Sequence, residues 1–310
     1  MSSTSKVLMI AKPTADQFTH GYTKFLECDK LITNDINEVL AYDIDRYDVV
    51  WLEWANDFTS EITHFKWKCK IVVRVHDHEI YRGRVDNVNW SNVDYIWFIN
   101  RDAQIDFNER IKCECNQFFL PNAVDLDSFK VSEFKNKHIA HVSIFMKERK
   151  RIDRAIEIYR ELIKHDSDWK MTIRAEPTGA EDMKMIRTTN DLKGLFWDLR
   201  SIDETKYGND KSDLNKFYRD KAIILSTSNH EGFHYSIAEG AMCGCMPVVY
   251  DWEWGRAKDF WSPFVCKNTG DMVYEILNWT SGHELNYRGY VQENFSGNNL
   301  APKLLAYVNG

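Results

Sequence analysis

The chain has little glycine or proline, no long apolar run and an odd number of cysteines. Its 310 residues include 14 glycines and 6 prolines, where average usage predicts about 22 and 16. Long flexible linkers and glycine-rich loops are therefore scarce, so each remaining glycine or proline marks a position of interest. No segment reaches the roughly 18 apolar residues that a membrane-spanning helix needs, and we expect no transmembrane segment.

Composition and cysteine usage favour a cytoplasmic globular protein. Hydrophobic residues make up 44% and charged residues 28%, with a net charge of −7. This balance excludes a disordered tail or a fibrous repeat. The seven cysteines are an odd number spread thinly along the chain, with two C-x-C pairs at residues 113–115 and 243–245, and this usage favours reduced thiols over a metal site. The apolar run at residues 7–11 is too short for a signal peptide, so we expect a cytoplasmic location.

Short apolar runs alternate with helical patterns along almost the whole chain. This alternation predicts repeated βα units, parallel sheets and an α/β fold class. Predicted helices cover residues 57–67, 101–112 and 151–164, the last with an apolar face at helical spacing. Predicted strands cover residues 6–11, 48–54, 70–75, 95–99 and 117–120 in the first half, and residues 139–144, 170–175, 222–226 and 247–250 in the second.

The length predicts two domains, each able to bury its own core. A polar, aperiodic stretch at residues 125–138 places the boundary near residue 134. We therefore expect one α/β domain with a parallel sheet at residues 1–134 and a second at residues 135–283. Because such sheets bind ligands at the carboxyl ends of their strands, the loops after the strands are the candidate sites.

The stretch at residues 226–261 contains a pair of glutamates in a distinctive setting. Glu231 lies in a loop after a predicted strand, and Glu239 follows eight residues later near a helix start. The stretch resembles the donor-binding motif of glycosyltransferase family 4, and the matching residues are Glu231, Gly232, Phe233, Glu239, Ala241, Gly244, Pro247, Val248 and Val249.

The resemblance implies a GT-B fold, in which two Rossmann-like domains face each other across a cleft. It implies that residues 1–134 form the acceptor-side domain and residues 135–283 the donor domain, with a helix at residues 284–310 that crosses back to the first domain. It also implies that the second domain binds a nucleotide diphosphate sugar, with Glu231 on the sugar and Glu239 on the ribose. The backbone amides of Phe233 and His234 would contact the sugar as well. The implied donor-binding segment further includes Gly232, Tyr235 and Ser236.

A structural role for Glu239 is the alternative to ligand binding. Ser236 and Glu239 have the spacing of a capping box, in which each satisfies a backbone amide of the other at a helix start. A glutamate bonded in this way could not readily reach a ribose. The surrounding match to the family motif favours the ligand role.

A basic loop follows the predicted strand at residues 139–144. Residues 135–154 carry seven Lys or Arg and two acidic residues, a local net charge of +5. A cation between a strand end and a helix start is well placed to meet a diphosphate, and Lys150 matches the family's lysine. The family's preceding Gly-Arg is replaced by Ser143 and Ile144, so Lys147 or Arg149 is the candidate for the second cation.

The first domain offers three candidates. His76 follows the predicted strand at residues 70–75, and it resembles the family histidine that lies near the reacting sugar. His20 and Gly21 follow the first strand, where the family often has paired glycines on the acceptor side. Only one of those glycines is present here.

The sequence predicts no essential metal and no cofactor beyond the donor substrate. Its three Asp-x-Asp pairs, at residues 43–45, 125–127 and 166–168, do not follow buried strands convincingly. We therefore expect a retaining, metal-independent glycosyltransferase that moves a sugar from a nucleotide sugar to a saccharide or lipid-linked acceptor. Two alternatives stay open, an enzyme acting on hydroxymethylated bases of DNA and a non-catalytic nucleotide-sugar-binding protein.

Overall fold

The chain folds into two compact units, seen in a computed structural model that describes residues 5–132, 134–143, 148–200 and 211–309. The first unit comprises Met1–Asp125 and Phe295–Gly310, and the second comprises Leu126–Asn294. The sequence placed the corresponding limits near residues 134 and 283. The segment after residue 125 lies in the second unit because it bonds there, with the Lys130 amide donating to Asn215 Oδ1 at 2.9 Å.

A six-stranded parallel sheet forms the centre of the first unit. The strands are β1 (Val7–Ala11), β2 (Cys28–Ile32), β3 (Val49–Glu53), β4 (Lys70–Val75), β5 (Tyr95–Phe98) and β6 (Asn116–Phe119). Their order across the sheet is β2-β1-β3-β4-β5-β6. The helices between them are α1 (His20–Thr23), α2 (Ile36–Ala41), α3 (Asp57–Thr63), α4 (Asp77–Tyr81) and α5 (Arg101–Arg110).

Both faces of this sheet are covered, because successive side chains of a strand point to opposite sides. In β1, Leu8 and Ile10 join one apolar cluster, whereas Val7 and Met9 join the cluster on the other face. Strands buried on both faces have continuous apolar sequences. This is why the apolar runs predicted the central strands.

The second unit repeats this architecture. Its strands are β7 (Asn136–Ser143), β8 (Lys170–Ala175), β9 (Leu195–Leu199), β10 (Lys221–Ser226), β11 (Met246–Tyr250) and β12 (Val265–Cys266). They pair in the order β12-β11-β10-β7-β8-β9, again in parallel. The helices are α6 (Ile152–His165), α7 (Ala180–Thr189), α8 (Lys211–Tyr218), α9 (Tyr235–Met242), α10 (Lys258–Trp261), α11 (Thr269–Leu277) and α12 (Glu284–Phe295).

The last helix, α13 (Gly297–Asn309), completes the core of the first unit. Leu300, Ala301 and Leu304 pack in the same apolar cluster as Val7 and Met9 of β1. The sequence predicted one returning helix over residues 284–310. The structure instead has two helices there, α12 in the second unit and α13 in the first, with Ser296 between them.

The predicted α/β class with parallel sheets is confirmed, whereas three strands escaped prediction. The missed strands β2, β9 and β12 lie at edges of the two sheets. Two of them are partly exposed, so their sequences mix charged and apolar residues, and the third is only two residues long. None of the described helices is long and apolar enough to cross a membrane.

Candidate functional site

The main polar cluster of the second unit lies at the carboxyl ends of β7 and β10, which are neighbours in the sheet. Lys150 ends a short 3-10 turn, Glu148–Lys150, that leads into α6. Glu231 lies in the loop between β10 and α9. Although 81 residues separate them in the sequence, adjacent parallel strands bring the two loops to one sheet edge.

Glu231 binds two cations of the basic loop, Lys150 and Arg149. Its Oε1 lies 2.5 Å from Lys150 Nζ, and its Oε2 lies 2.8 Å from Arg149 Nη1. The hydroxyl of Ser228 donates to Oε1 at 2.8 Å. The Lys150 and Glu231 side chains are 10% and 6% exposed, whereas that of Arg149 is 45% exposed. The two ion pairs therefore differ in their access to water.

The electrostatics of this cluster favour a charged carboxylate. Burial alone would raise the pKa of Glu231, but Lys150 and Arg149 outweigh it and lower the pKa below its usual range. Nearby His141 is fully buried on β7, and burial lowers its pKa to about 4. The cluster thus combines two cations, one carboxylate and a neutral imidazole at neutral pH.

Backbone contacts hold the two loops in register. Thr227 Oγ1 lies 2.9 Å from the carbonyls of both Lys150 and Arg151 and donates to them. The amide of Asn229 donates to the Arg149 carbonyl at 2.8 Å. The cations are therefore fixed relative to the Glu231 loop by main-chain groups as well as by the ion pairs.

The predicted donor-binding segment runs from this loop into α9. Gly232 is partly exposed, and Phe233 and His234 are buried. Tyr235 and Ser236 form the first turn of α9, and Glu239, 6% exposed, lies one turn further on. The N-cap residue is His234, so Ser236 is inside the helix. The capping-box alternative for Ser236 and Glu239 is therefore wrong.

Aromatic rings fix the backbone of Phe233. The indole Nε1 of Trp261 donates to the Phe233 carbonyl at 3.1 Å, and the rings of Phe260 and Trp261 lie 5.5 and 5.8 Å from that of Phe233. Trp261 is the last residue of the stretch that resembles the family motif, and the sequence predicted no role for it. The structure gives it one, because an indole has a single donor and here it holds the loop carbonyl.

Two predicted positions lie outside the described residues. Lys147, a candidate for the second cation, falls in the gap at 144–147, as does Ile144, which replaces the family arginine. Among the described residues of the basic loop, Arg149 is the cation that accompanies Lys150 at Glu231.

His76 lies at the carboxyl end of β4, as the N-cap residue of α4. It is buried, and its backbone amide donates to Glu79 Oε2 at 2.8 Å. Burial, together with Arg74 and His78, lowers the pKa of the imidazole well below its usual value, so the ring is neutral at pH 7. Neither ring nitrogen makes a hydrogen bond within the described parts of the chain.

The sequence missed a buried ion pair beside His76. Glu53, at the end of β3, accepts from Arg74 Nη1 at 3.0 Å, and both side chains are inaccessible to water. Burial raises the pKa of Glu53 to about 7, although Arg74 opposes this shift. The Arg74 guanidinium also lies 4.4 Å from the ring centroid of Trp97. The sequence signal that could have revealed this pair is a charged residue within each of two buried strands, Glu53 in β3 and Arg74 in β4.

The two acceptor-side candidates differ in their surroundings. His20 is exposed at the start of α1, 3.6 Å from an Asp16 carboxylate oxygen. Gly21 is buried where α1 meets the Ala123 backbone, and a Cβ there would collide with the Ala123 carbonyl. Packing therefore explains why residue 21 is glycine, and a role of either residue in acceptor binding stays a prediction.

The predicted absence of an essential metal stays a prediction. Within the described ranges, no group of three or more His, Cys, Asp or Glu side chains could hold a metal ion. Some of the carboxylates of the Asp-x-Asp pairs have cationic partners, as in the pairs of Asp125 with Lys24 and Asp166 with Lys137.

Comparison with known proteins relates the chain to glycosyltransferases. No family model matches the chain. It is 29% identical, over 202 residues, to the poly(ribitol-phosphate) alpha-N-acetylglucosaminyltransferase of Staphylococcus aureus, covering 63% of this chain and 34% of the relative. The chain therefore spans about a third of the length of that curated relative.

Solved structures share the fold. The match to TarM covers 84% of this chain and 55% of the TarM chain, with a TM-score of 0.65 and 19% sequence identity. The match to Anabaena HepE, solved with UDP and glucose, covers 99% of this chain and 100% of HepE, with a TM-score of 0.69 and 11% sequence identity. The match to sucrose-phosphate synthase from Thermosynechococcus elongatus covers 97% of each chain, with a TM-score of 0.71 and 11% sequence identity. The two parallel six-stranded sheets thus confirm the predicted GT-B fold at the level of its two α/β units, whereas membership of glycosyltransferase family 4 stays a prediction.

Proposed function

We propose that the protein is a retaining, metal-independent glycosyltransferase of family 4 that moves a sugar from a nucleoside diphosphate to a hydroxyl of a saccharide acceptor. The observation that carries this proposal is the cluster of Lys150, Arg149 and Glu231 before the N-terminus of α9. The similarity to a named N-acetylglucosaminyltransferase supports the same reaction class.

The diphosphate is the ligand that best fits the cluster. Lys150 and Arg149 outnumber the single carboxylate they contact, so the three groups together carry a net charge of +1. Oxygens of a diphosphate would share these cations with Glu231 through charge-assisted hydrogen bonds. Arg149 would supply the second cation where the family's arginine is replaced by Ile144. Cationic side chains would then neutralise the leaving nucleoside diphosphate.

Glu231 and Glu239 would bind the hydroxyl groups of the donor. Glu231 is charged at neutral pH, since its pKa is lowered by the two cations despite burial. A charged carboxylate accepts hydrogen bonds from sugar hydroxyls. Glu239 is buried one turn into α9, and it would accept from the ribose hydroxyls as acidic residues do in dinucleotide-binding folds.

His76 would act as a neutral group in the first unit. Its pKa is lowered well below the usual value by burial, with Arg74 and His78 acting in the same direction. A neutral imidazole has one donor and one acceptor nitrogen. We propose that it stabilises the charge that develops at the anomeric centre by hydrogen bonding rather than as a cation.

The experiment is a turnover assay with a panel of UDP, ADP and GDP sugars. Release of the nucleoside diphosphate is measured for the wild type, Glu231→Ala and His76→Ala, and we expect each variant to lose at least about 100-fold in rate. Glu61→Ala is the matched control, because Glu61 is an exposed glutamate on α3 and its removal should leave turnover unchanged.

Three outcomes separate the competing functions. Failure of every nucleotide sugar to bind or react would overturn the proposal. Tight binding without release would make the protein a non-catalytic nucleotide-sugar-binding protein. With turnover established, poly(ribitol phosphate), other glycans and hydroxymethylated duplex DNA are compared as acceptors. None of the relatives reported above is named for a DNA substrate, so we expect the glycans to react.

A further inference from the structure

The backbone of His234 adopts a conformation that favours glycine. This residue is the N-cap of α9 and has φ 66° and ψ 73°, in the left-handed region. Glycine adopts that conformation freely, whereas a residue with a Cβ adopts it only with steric strain. The imidazole must therefore make contacts that offset the strain, since strained residues persist where their surroundings determine them.

The His234 imidazole contacts Lys150, the lysine predicted to bind the diphosphate. The imidazole is buried, with Nδ1 2.8 Å from Ser226 Oγ and Nε2 3.3 Å from Lys150 Nζ. A lysine ammonium can only donate hydrogen bonds, so Nε2 of a neutral ring must accept from it. Nδ1 then carries the ring proton and donates to Ser226. The Ser226 hydroxyl, at the end of β10, can accept this hydrogen bond, so it is compatible with the tautomer that holds Lys150.

The neutrality of the ring suits this arrangement. Burial lowers the pKa of His234 well below its usual value, and Lys150 acts in the same direction. A carboxylate in this position would bring a second negative charge to the ammonium beside Glu231, whereas a neutral imidazole orients the ammonium without adding charge. Lysine has a flexible stem whose rotamer freedom is lost on binding. Two fixed acceptors at Nζ, Glu231 at 2.5 Å and His234 at 3.3 Å, remove much of that freedom before a ligand arrives.

We propose that His234 is a positioning residue, whose imidazole holds the Lys150 ammonium in place for the diphosphate of the donor. This inference rests on the function proposed above and adds to it a side-chain role where the family resemblance implied only a backbone contact. It also explains why a strained histidine is present in a position suited to glycine.

The test measures nucleotide affinity by titration calorimetry, with UDP and uridine as probes. We compare the wild type with His234→Gly and His234→Asn, because Gly and Asn both tolerate the left-handed backbone and neither places an acceptor at the Nε2 position. We expect both variants to bind UDP about tenfold more weakly, equivalent to 1.4 kcal/mol. Uridine, which has no phosphate, should bind them as it binds the wild type. Thermal unfolding of each variant confirms that it is folded.

A double-mutant cycle tests whether His234 acts through Lys150. In a Lys150→Met background, His234→Gly should have no further effect on UDP affinity, since residues acting as a unit are non-additive. Should Lys150→Met not fold, the Gly and Asn variants decide alone. Wild-type affinity for UDP in His234→Gly, or an additive loss in the double variant, would overturn the inference. A wild type that binds none of UDP, ADP or GDP would instead overturn the proposed function itself, and the inference with it.

Discussion

Loss of the buried partner of Glu231 should destabilise the second unit far more than loss of its exposed partner. Removing one member of a buried ion pair typically costs about 3–5 kcal/mol, because the other charge is left without compensation. In Lys150→Met, Arg149 and Ser228 still contact the Glu231 carboxylate at 2.8 Å. We therefore expect a loss below that range, about 2–3 kcal/mol in the free energy of unfolding.

Arg149→Met is the matched variant, since it removes a cation from the same carboxylate. The Arg149 side chain is 45% exposed, so solvent screens its ion pair with Glu231. We therefore expect Arg149→Met to lower the free energy of unfolding by less than about 1 kcal/mol. Urea unfolding followed by circular dichroism provides the measurement, and Lys150→Met with Glu231→Gln should recover much of the loss. Equal costs for the Lys150 and Arg149 variants, or no recovery in the double variant, would refute the reasoning from burial.

Two further predictions concern a glycine contact and a buried histidine. Gly21→Ala should lower the melting temperature, because the added Cβ meets the Ala123 carbonyl, whereas Gly289→Ala, with open space at an exposed helical position, should raise stability by about 0.5–1 kcal/mol. Equal effects would contradict the packing argument. His141 has a folded pKa of about 4 against an ordinary value of 6.5, so its contribution to stability is lost as pH falls from 6.5 to 4. His141→Gln should therefore reduce the slope of unfolding free energy against pH between 5 and 6 by up to about 1.4 kcal/mol per unit, and an unchanged slope would show that the ring is already protonated when folded.

The sequence predicted the elements whose pattern is local. The central strands β1, β3, β4 and β10 are continuous apolar runs because both of their faces are covered. The edge strand β2 has Asp29 and Lys30 exposed within it, and no local apolar pattern distinguishes such a strand from a loop. The sequence pattern therefore identified the central, buried strands and missed edge strands such as β2.

The candidate site was predicted as far as its members lie in one stretch or match a known motif. Glu231 and Lys150 were found separately, but their ion pair depends on the adjacency of β7 and β10, which no local pattern expresses. The same holds for Glu53 and Arg74, whose contact requires β3 and β4 to pair in register. The imidazole of His234 escaped notice because its backbone conformation, which sets its direction, is not visible in the sequence.

The first unit is built from two separated stretches of chain, and this has a consequence for synthesis. The apolar face of its sheet that includes Val7 and Met9 is closed by Leu300, Ala301 and Leu304 of α13. During translation, that face stays uncovered until the residues of α13 have left the ribosome, whereas the second unit is complete before then. Residues 7–119 are therefore synthesised before the second unit but finish folding after it, and a nascent chain stopped before residue 295 should expose the β1 face to chaperones and proteases.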